Sequence, residues 1–186
     1  MLIAATTAQL AFPFLATPTS ESLLRSTSAI LGALSITREL RSLNRDVLTR
    51  GRLVLPSEFF ADDTFESRLV QSARIGHGID HDILRQSIQA VRECTGRLWE
   101  LYELGRPGID NLAPIGAAAL DAVGEYGQIL LQTIEQWNCE VMLHEPTIGA
   151  TRRWAWAFKF RKAIKRAEQR LVTDNPANSG ARSSSV

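Results

Sequence analysis

Apolar positions recur every three to four residues through most of the chain, and four stretches of that pattern carry start and stop chemistry of their own. The first predicts a helix from about Pro18 to Leu34: Thr17 is a candidate N-cap, Pro18 stands at the first helical position, and Leu23, Leu24, Ile30, Leu31 and Leu34 share one face. The run Gly32-Ala-Leu-Ser then reads as a break. Thr37 reads as the N-cap of a second helix, with Leu40, Leu43 and Val47 inward, Arg38, Arg41 and Arg45 outward, and Gly51 at its end. From Asp80 to about Tyr102 the amphipathic pattern is clearest, with Ile83, Leu84, Ile88, Val91, Cys94, Leu98, Trp99 and Tyr102 on less than half of the wheel. A fourth helix is predicted from about Pro114 to Trp137. Gly124 and Gly127 within it each cost about 1 kcal/mol relative to alanine, which points to close approach of another backbone, within the subunit or between subunits.

Other stretches read differently. Residues 52–60, RLVLPSEFF, are short, apolar and interrupted by Pro56, as in an edge strand, and Thr64 to Arg74 suits a short helix. Trp154, Trp156, Phe158 and Phe160 alternate with Arg153, Ala155, Ala157 and Lys159, a period of two that predicts a strand, followed by the basic helical stretch FRKAIKRAEQRL. The expected architecture is therefore all-α, a four-helix bundle with a small peripheral β-sheet. Residues 1–150 form the bundle domain, 151–172 an aromatic and basic extension, and 173–186 a disordered tail.

Composition narrows the class. With 186 residues, 45% hydrophobic and 22% charged at a mean hydropathy of −0.07, the chain suits one globular domain rather than a disordered or multi-span membrane protein. Cys94 and Cys139 form no Cys-x-x-Cys pair and read as small core residues in a reducing compartment. The opening MLIAATTAQLAFPFLAT lacks the charged start of a signal peptide. The net charge of +1 conceals a division: residues 1–150 sum to −6 and residues 151–186 to +7.

Candidate chemistry is sparse. His77 and His81 have the i, i+4 spacing of metal ligands, but Gly78 lies between them, and a solvated loop pair is the expected reading; no metal or cofactor is expected. The sequence carries no phosphate loop, dinucleotide fingerprint or nucleophile elbow, so neither an enzyme nor a small-molecule substrate is expected. Arginine stands out. Arg38, Arg41 and Arg45 line one helix, Arg85, Arg92 and Arg97 another, and the planar guanidinium suits phosphate. The same faces suit a solvated surface with Glu39, Asp46, Glu93 and Glu100 as partners.

The runs TTAQLAFPF, SLLRSTSAILGALSITRELR, RLVLPSEFF and DILRQSIQAVRECTGRLWELYE resemble, in order and nearly in spacing, coat proteins of rod-shaped plant viruses of the tobamovirus type. In that family an N-terminal strand leads into two antiparallel helices joined at an Ala-Leu-Gly turn, followed by a Thr and an Arg; Leu31, Gly32, Thr37 and Arg41 keep that order here. A Phe-Pro strand piece is answered by Leu55-Pro56 and Phe59-Phe60, and Glu93 to Glu100 stand where the third helix carries its paired arginines. Thr95 replaces the first of that pair, and Arg92 lies one turn earlier. The resemblance spans about residues 6–140. It implies a capsid subunit, located in the virion and the host cytoplasm, that assembles with copies of itself into a helical rod around single-stranded RNA. Arg41 and Arg97 would hold phosphates, with Arg38, Arg45, Arg92 and Thr37 in support, and Asp82 and Glu100 would form a carboxylate switch between subunits. The alternative from the residues alone is a helical adaptor whose basic aromatic tail meets an anionic partner, nucleic acid or membrane, with the membrane the less expected of the two.

Overall fold

In the computed structural model, which describes residues 21–51, 53, 55, 64–75 and 79–173, helix α1 runs unbroken from Glu21 to Arg41. The expected turn at Gly32 is absent, and with it the antiparallel helix pair that the coat-protein resemblance implied. Packing explains the continuity. Leu23, Thr27, Ile30, Ala33, Thr37 and Leu40 are all buried, at steps of three and four, so one stripe passes straight through the supposed break. Ala33 and Thr37 continue it where a pattern drawn from large apolar residues loses the thread. Thr37 is no N-cap: its hydroxyl donates to the Ala33 carbonyl one turn back at 2.7 Å.

Ser42 separates α1 from α2 (Leu43–Arg50), which closes on Gly51 in the left-handed region (φ 64°) with its N–H on the Val47 carbonyl. Helix α3 spans Phe65–Ile75 and buries Phe65 and Leu69. Helix α4 runs His81–Gly105 from the Asp80 cap, whose carboxylate accepts from the Asp82 and Ile83 amides. A 3₁₀ turn over Arg106–Asn111 leads to α5 (Pro114–Gln136), and α6 covers Ala150–Thr173. Helix α1 packs on both α4 and α5, α6 lies along α5, and α3 bridges α2 and α4.

The predicted strand at Trp154 to Phe160 is about two turns of α6, beginning one turn after its start, and no strand occurs among the described residues, so the peripheral sheet is not part of this fold as described. An aromatic at every second position is also two i, i+4 pairs on nearly opposite sides of a helix, and the intervening alanines, arginine and lysine favour the helix. The N-terminal strand and most of the 52–60 segment lie outside the described residues.

Tyr102 ties the core together. Its ring is 2% exposed, its hydroxyl lies 3.2 Å from Thr37 Oγ1 on α1, and it presses on the bare backbone of Gly127 on α5. A Cβ at Gly127 would overlap that hydroxyl and stand 2.6 Å from Cζ. The close approach of another backbone expected at this glycine is made instead by a side chain, a phenol of the same chain. Gly105 does a similar service, since a Cβ there would lie 2.8 Å from the Ser26 carbonyl of α1.

Gly127→Ala is expected to lower unfolding free energy by about 1–3 kcal/mol through overpacking, read from the denaturant midpoint at unchanged m-value. Burial pushes the Tyr102 phenol from 10.0 up to about 12, against a smaller lowering by the Thr37 hydrogen bond. A raised folded-state value means stability is intact below pH 10 and is lost as pH climbs towards 12. Denaturation curves at a series of alkaline pH values should show that loss in the wild type and less of it in Tyr102→Phe.

Candidate nucleic-acid interface

The arginine stripe of the sequence survives the merging of its helix with the preceding one. Arg38, Arg41, Arg45 and Arg50 line an open groove of about 510 Å³ along α1 and α2, together with Glu39 and Asp46. Their charges are not equally available. Asp46, 5% exposed, accepts from Ser42 Oγ at 3.0 Å and lies 3.4 Å from Arg50. Arg41, its side chain 34% exposed, donates from Nε (3.2 Å) and Nη2 (2.9 Å) to a single oxygen of Glu145. The other Glu145 oxygen lies 3.8 Å from Arg45. One carboxylate from the segment between α5 and α6 therefore bridges two arginines on successive helices, and Arg38 stands exposed beside them.

The α4 arginines form no common site with this groove, whose lining includes neither Arg92 nor Arg97. Both are exposed, and five residues at 100° each set them about 140° apart around the helix. Arg92 points towards Cys139, where burial pushes the thiol up and the guanidinium pulls the other way. Thr37, expected near phosphate, is fully buried with its hydroxyl on Ala33 and Tyr102. Asp82 and Glu100 are exposed on one outer face of α4; eighteen residues separate them by about 27 Å along the axis. Asp82 pairs locally with Arg85 at 3.5 Å. His81 is exposed at the start of α4, His77 lies outside the described residues, and no cluster of three metal-ligating side chains occurs among those described.

Helix α6 presents the densest chemistry. Between Ala150 and Thr173 it carries eight basic residues and one acid, Glu168. Its inner side docks on α5: Trp156 Nε1 donates to the Ala122 carbonyl at 3.0 Å, the ring meets Tyr126 at 5.0 Å and stacks with Phe160 at 5.7 Å, and Lys159 and Arg152 reach Glu125 and Gln132. The other aromatic pair faces out. Trp154 is 76% exposed and Phe158 72%, one turn apart, and Arg161 and Lys165 continue the same arc. Only Ala167 of the whole helix is fully buried.

Sequence reasoning found the aromatics and the basic residues but missed that the aromatics divide into a docking pair and a free pair, because a strand would have placed all four on one face. Glu145 it missed altogether. A lone glutamate in the polar run His144-Glu145-Pro146 has no periodicity to mark it. In comparisons with known proteins, no family model matches the chain, and no curated protein or solved structure does so.

Trp156→Ala should cost about 2 kcal/mol, less than for a fully buried ring, whereas Trp154→Ala should leave stability within about 0.5 kcal/mol of wild type. Paired denaturant titrations of the two variants check this, and equal losses would mean that Trp154 is also packed.

Proposed function

We propose that the protein is a structural subunit that holds single-stranded RNA and assembles with copies of itself, the packaging role of a nucleocapsid protein. The observation that supports it most is the outer face of α6, where Trp154 and Phe158 stand in solvent beside Arg153, Arg161, Lys162 and Lys165. Exposed rings within a basic field are the chemistry of single-strand binding: bases stack on the rings and phosphates pair with the cations, whatever the sequence. A duplex hides its base faces and offers only the charge term. Arg38, Arg41 and Arg45 supply a second phosphate-binding surface, and Arg92 and Arg97 extend positive charge over the exposed flanks of α4. Nothing in this reading calls on a cofactor or a small-molecule substrate.

Self-association is the other half of the proposal. Leu104, Ile115, Trp137 and Leu143 are each 38–56% exposed, apolar surface suited to contact between copies. Contacts between two different patches build open helices when their rotation does not close a ring. Asp82 and Glu100 are exposed on α4, and in this reading acids of a neighbouring copy oppose them and favour release when ionised. The virion and the cytoplasm of its host are where such a subunit works. No described helix is long and apolar enough to cross a membrane. The adaptor alternative shares the α6 surface and differs in what it carries.

Labelled oligouridylate and oligoadenylate should bind with similar affinity and more tightly than a duplex of equal length, with a salt slope of about 0.7 per phosphate engaged. Trp154→Ala and Phe158→Ala should each weaken binding about tenfold, from the stacking lost per base. Electron microscopy of the protein with RNA should show filaments or stacked discs. Preference for anionic vesicles over RNA, or a monomer at all concentrations with RNA present, would overturn the proposal.

A further inference from the structure

Two of the arginines that line the groove along α1 and α2, Arg41 and Arg45, are met by a carboxylate of the same chain. Glu145 meets Arg41 and Arg45 through a planar group with two acceptor oxygens, and a phosphodiester presents two such oxygens to the same guanidinium donors. Its position is fixed by the backbone rather than by the pair alone. Pro146 and Ile148 are buried directly after it, and Val141 and Met142 are buried before it. The carboxylate is therefore delivered to the arginines by an anchored segment. Yet both partners are one-third exposed (34% each), so water and ligand reach the pair, and an ion pair so open to solvent is held weakly. Arg38 is exposed on the same groove.

We propose that Glu145 is an internal substitute for phosphate: it occupies the Arg41–Arg45 site in the free protein and yields it to a phosphate group of the bound ligand. This rests on the single-stranded RNA reading for the identity of the ligand, and it adds a regulation of that site. The exchange keeps the hydrogen bonds of Arg41 in number and kind, replacing a carboxylate oxygen by a phosphate oxygen. It frees one carboxylate to water and brings in a group that a third arginine also contacts. Binding at the groove is thereby reduced by the affinity of the protein for its own side chain, and only a ligand that also gains contacts elsewhere opens it readily.

The test uses the full chain and two probes. With a labelled oligouridylate, Glu145→Gln should bind about two- to fivefold more tightly than wild type, the range of an exposed ion pair removed. Its salt slope should stay within about 0.7 of the wild-type slope, because the same single phosphate is engaged once either protein is bound. Glu145→Asp keeps the charge but shortens the reach, and it should also bind more tightly. Glu39→Gln removes a charge from the same groove without touching the pair, and it should gain less than Glu145→Gln. In an Arg41→Ala background the gain from Glu145→Gln should fall away. Thermal melting of each variant monitors folding.

The second probe is inorganic phosphate, followed through the Arg41 Nε–H resonance, which reads the groove whether or not RNA binds. Tighter phosphate binding in Glu145→Gln and Glu145→Asp than in wild type is expected. Equal or weaker phosphate binding in both overturns the substitution proposal, as does a gain in Glu39→Gln as large as that in Glu145→Gln. Failure of wild type to bind any RNA while phosphate still distinguishes the variants would instead overturn the RNA reading and leave the anion site standing.

Discussion

The distance between three helices is set by one phenol meeting one glycine. Tyr102 extends from α4 between α1 and α5, touching Thr37 on one side and the backbone of Gly127 on the other. Any side chain at Gly127 would push α5 outward, and every contact that α5 makes further along would move with it. That includes the Ala122 carbonyl and the Tyr126 ring that receive Trp156, and so the placement of α6. The surface that carries the basic charge is thus positioned, through two packed layers, by an interior contact that has no charge at all. Thr37 completes the arrangement by giving the buried hydroxyl of Tyr102 a partner, without which it would be left unsatisfied in the core.

Charge and apolar surface are segregated along the chain in a way that suits this construction. The body is mildly acidic and buries its large side chains around α1, while α6 is strongly basic and attaches through a narrow line of Trp156, Phe160 and Ala167. An element held by so little buried surface contributes little to the core and retains most of its side chains for solvent and ligands. Its docking is specific nonetheless, because the Trp156 indole N–H needs the Ala122 carbonyl and Lys159 meets Glu125.

Much of the fold was legible in the pattern of residues. The end of α2 and the starts of α4 and α5 fall close to Gly51, Asp80 and Pro114, where the residue pattern had put them, and α3 follows Phe65 and Leu69. Two errors came from the same source, reliance on large apolar residues. Across Gly32 the buried stripe is continued by Ala33 and Thr37, which a hydrophobic pattern undervalues. Around Trp154 to Phe160 the large residues fit a period of two, and only the helix-forming residues between them favour the helix. The candidate site was legible as a stripe of arginines, since charge spacing on a helix follows from its pitch. The partner of that stripe was not, because Glu145 reaches Arg41 across 104 positions of sequence, and no local pattern encodes such a contact.

The segment that carries Glu145 joins α5 to α6, so in the proposed reading the groove and the aromatic helix are two modest binding surfaces on one chain. Such surfaces act through effective concentration: once a strand is held by one, the other meets it as an intramolecular neighbour. A strand too short to touch both would gain nothing from the second, and would have to displace Glu145 without help. Length would thereby become the property that such a protein discriminates. If the proposed reading holds, a short oligonucleotide and a long strand would offer identical phosphates and bases, yet only the long one would be gripped at both places at once.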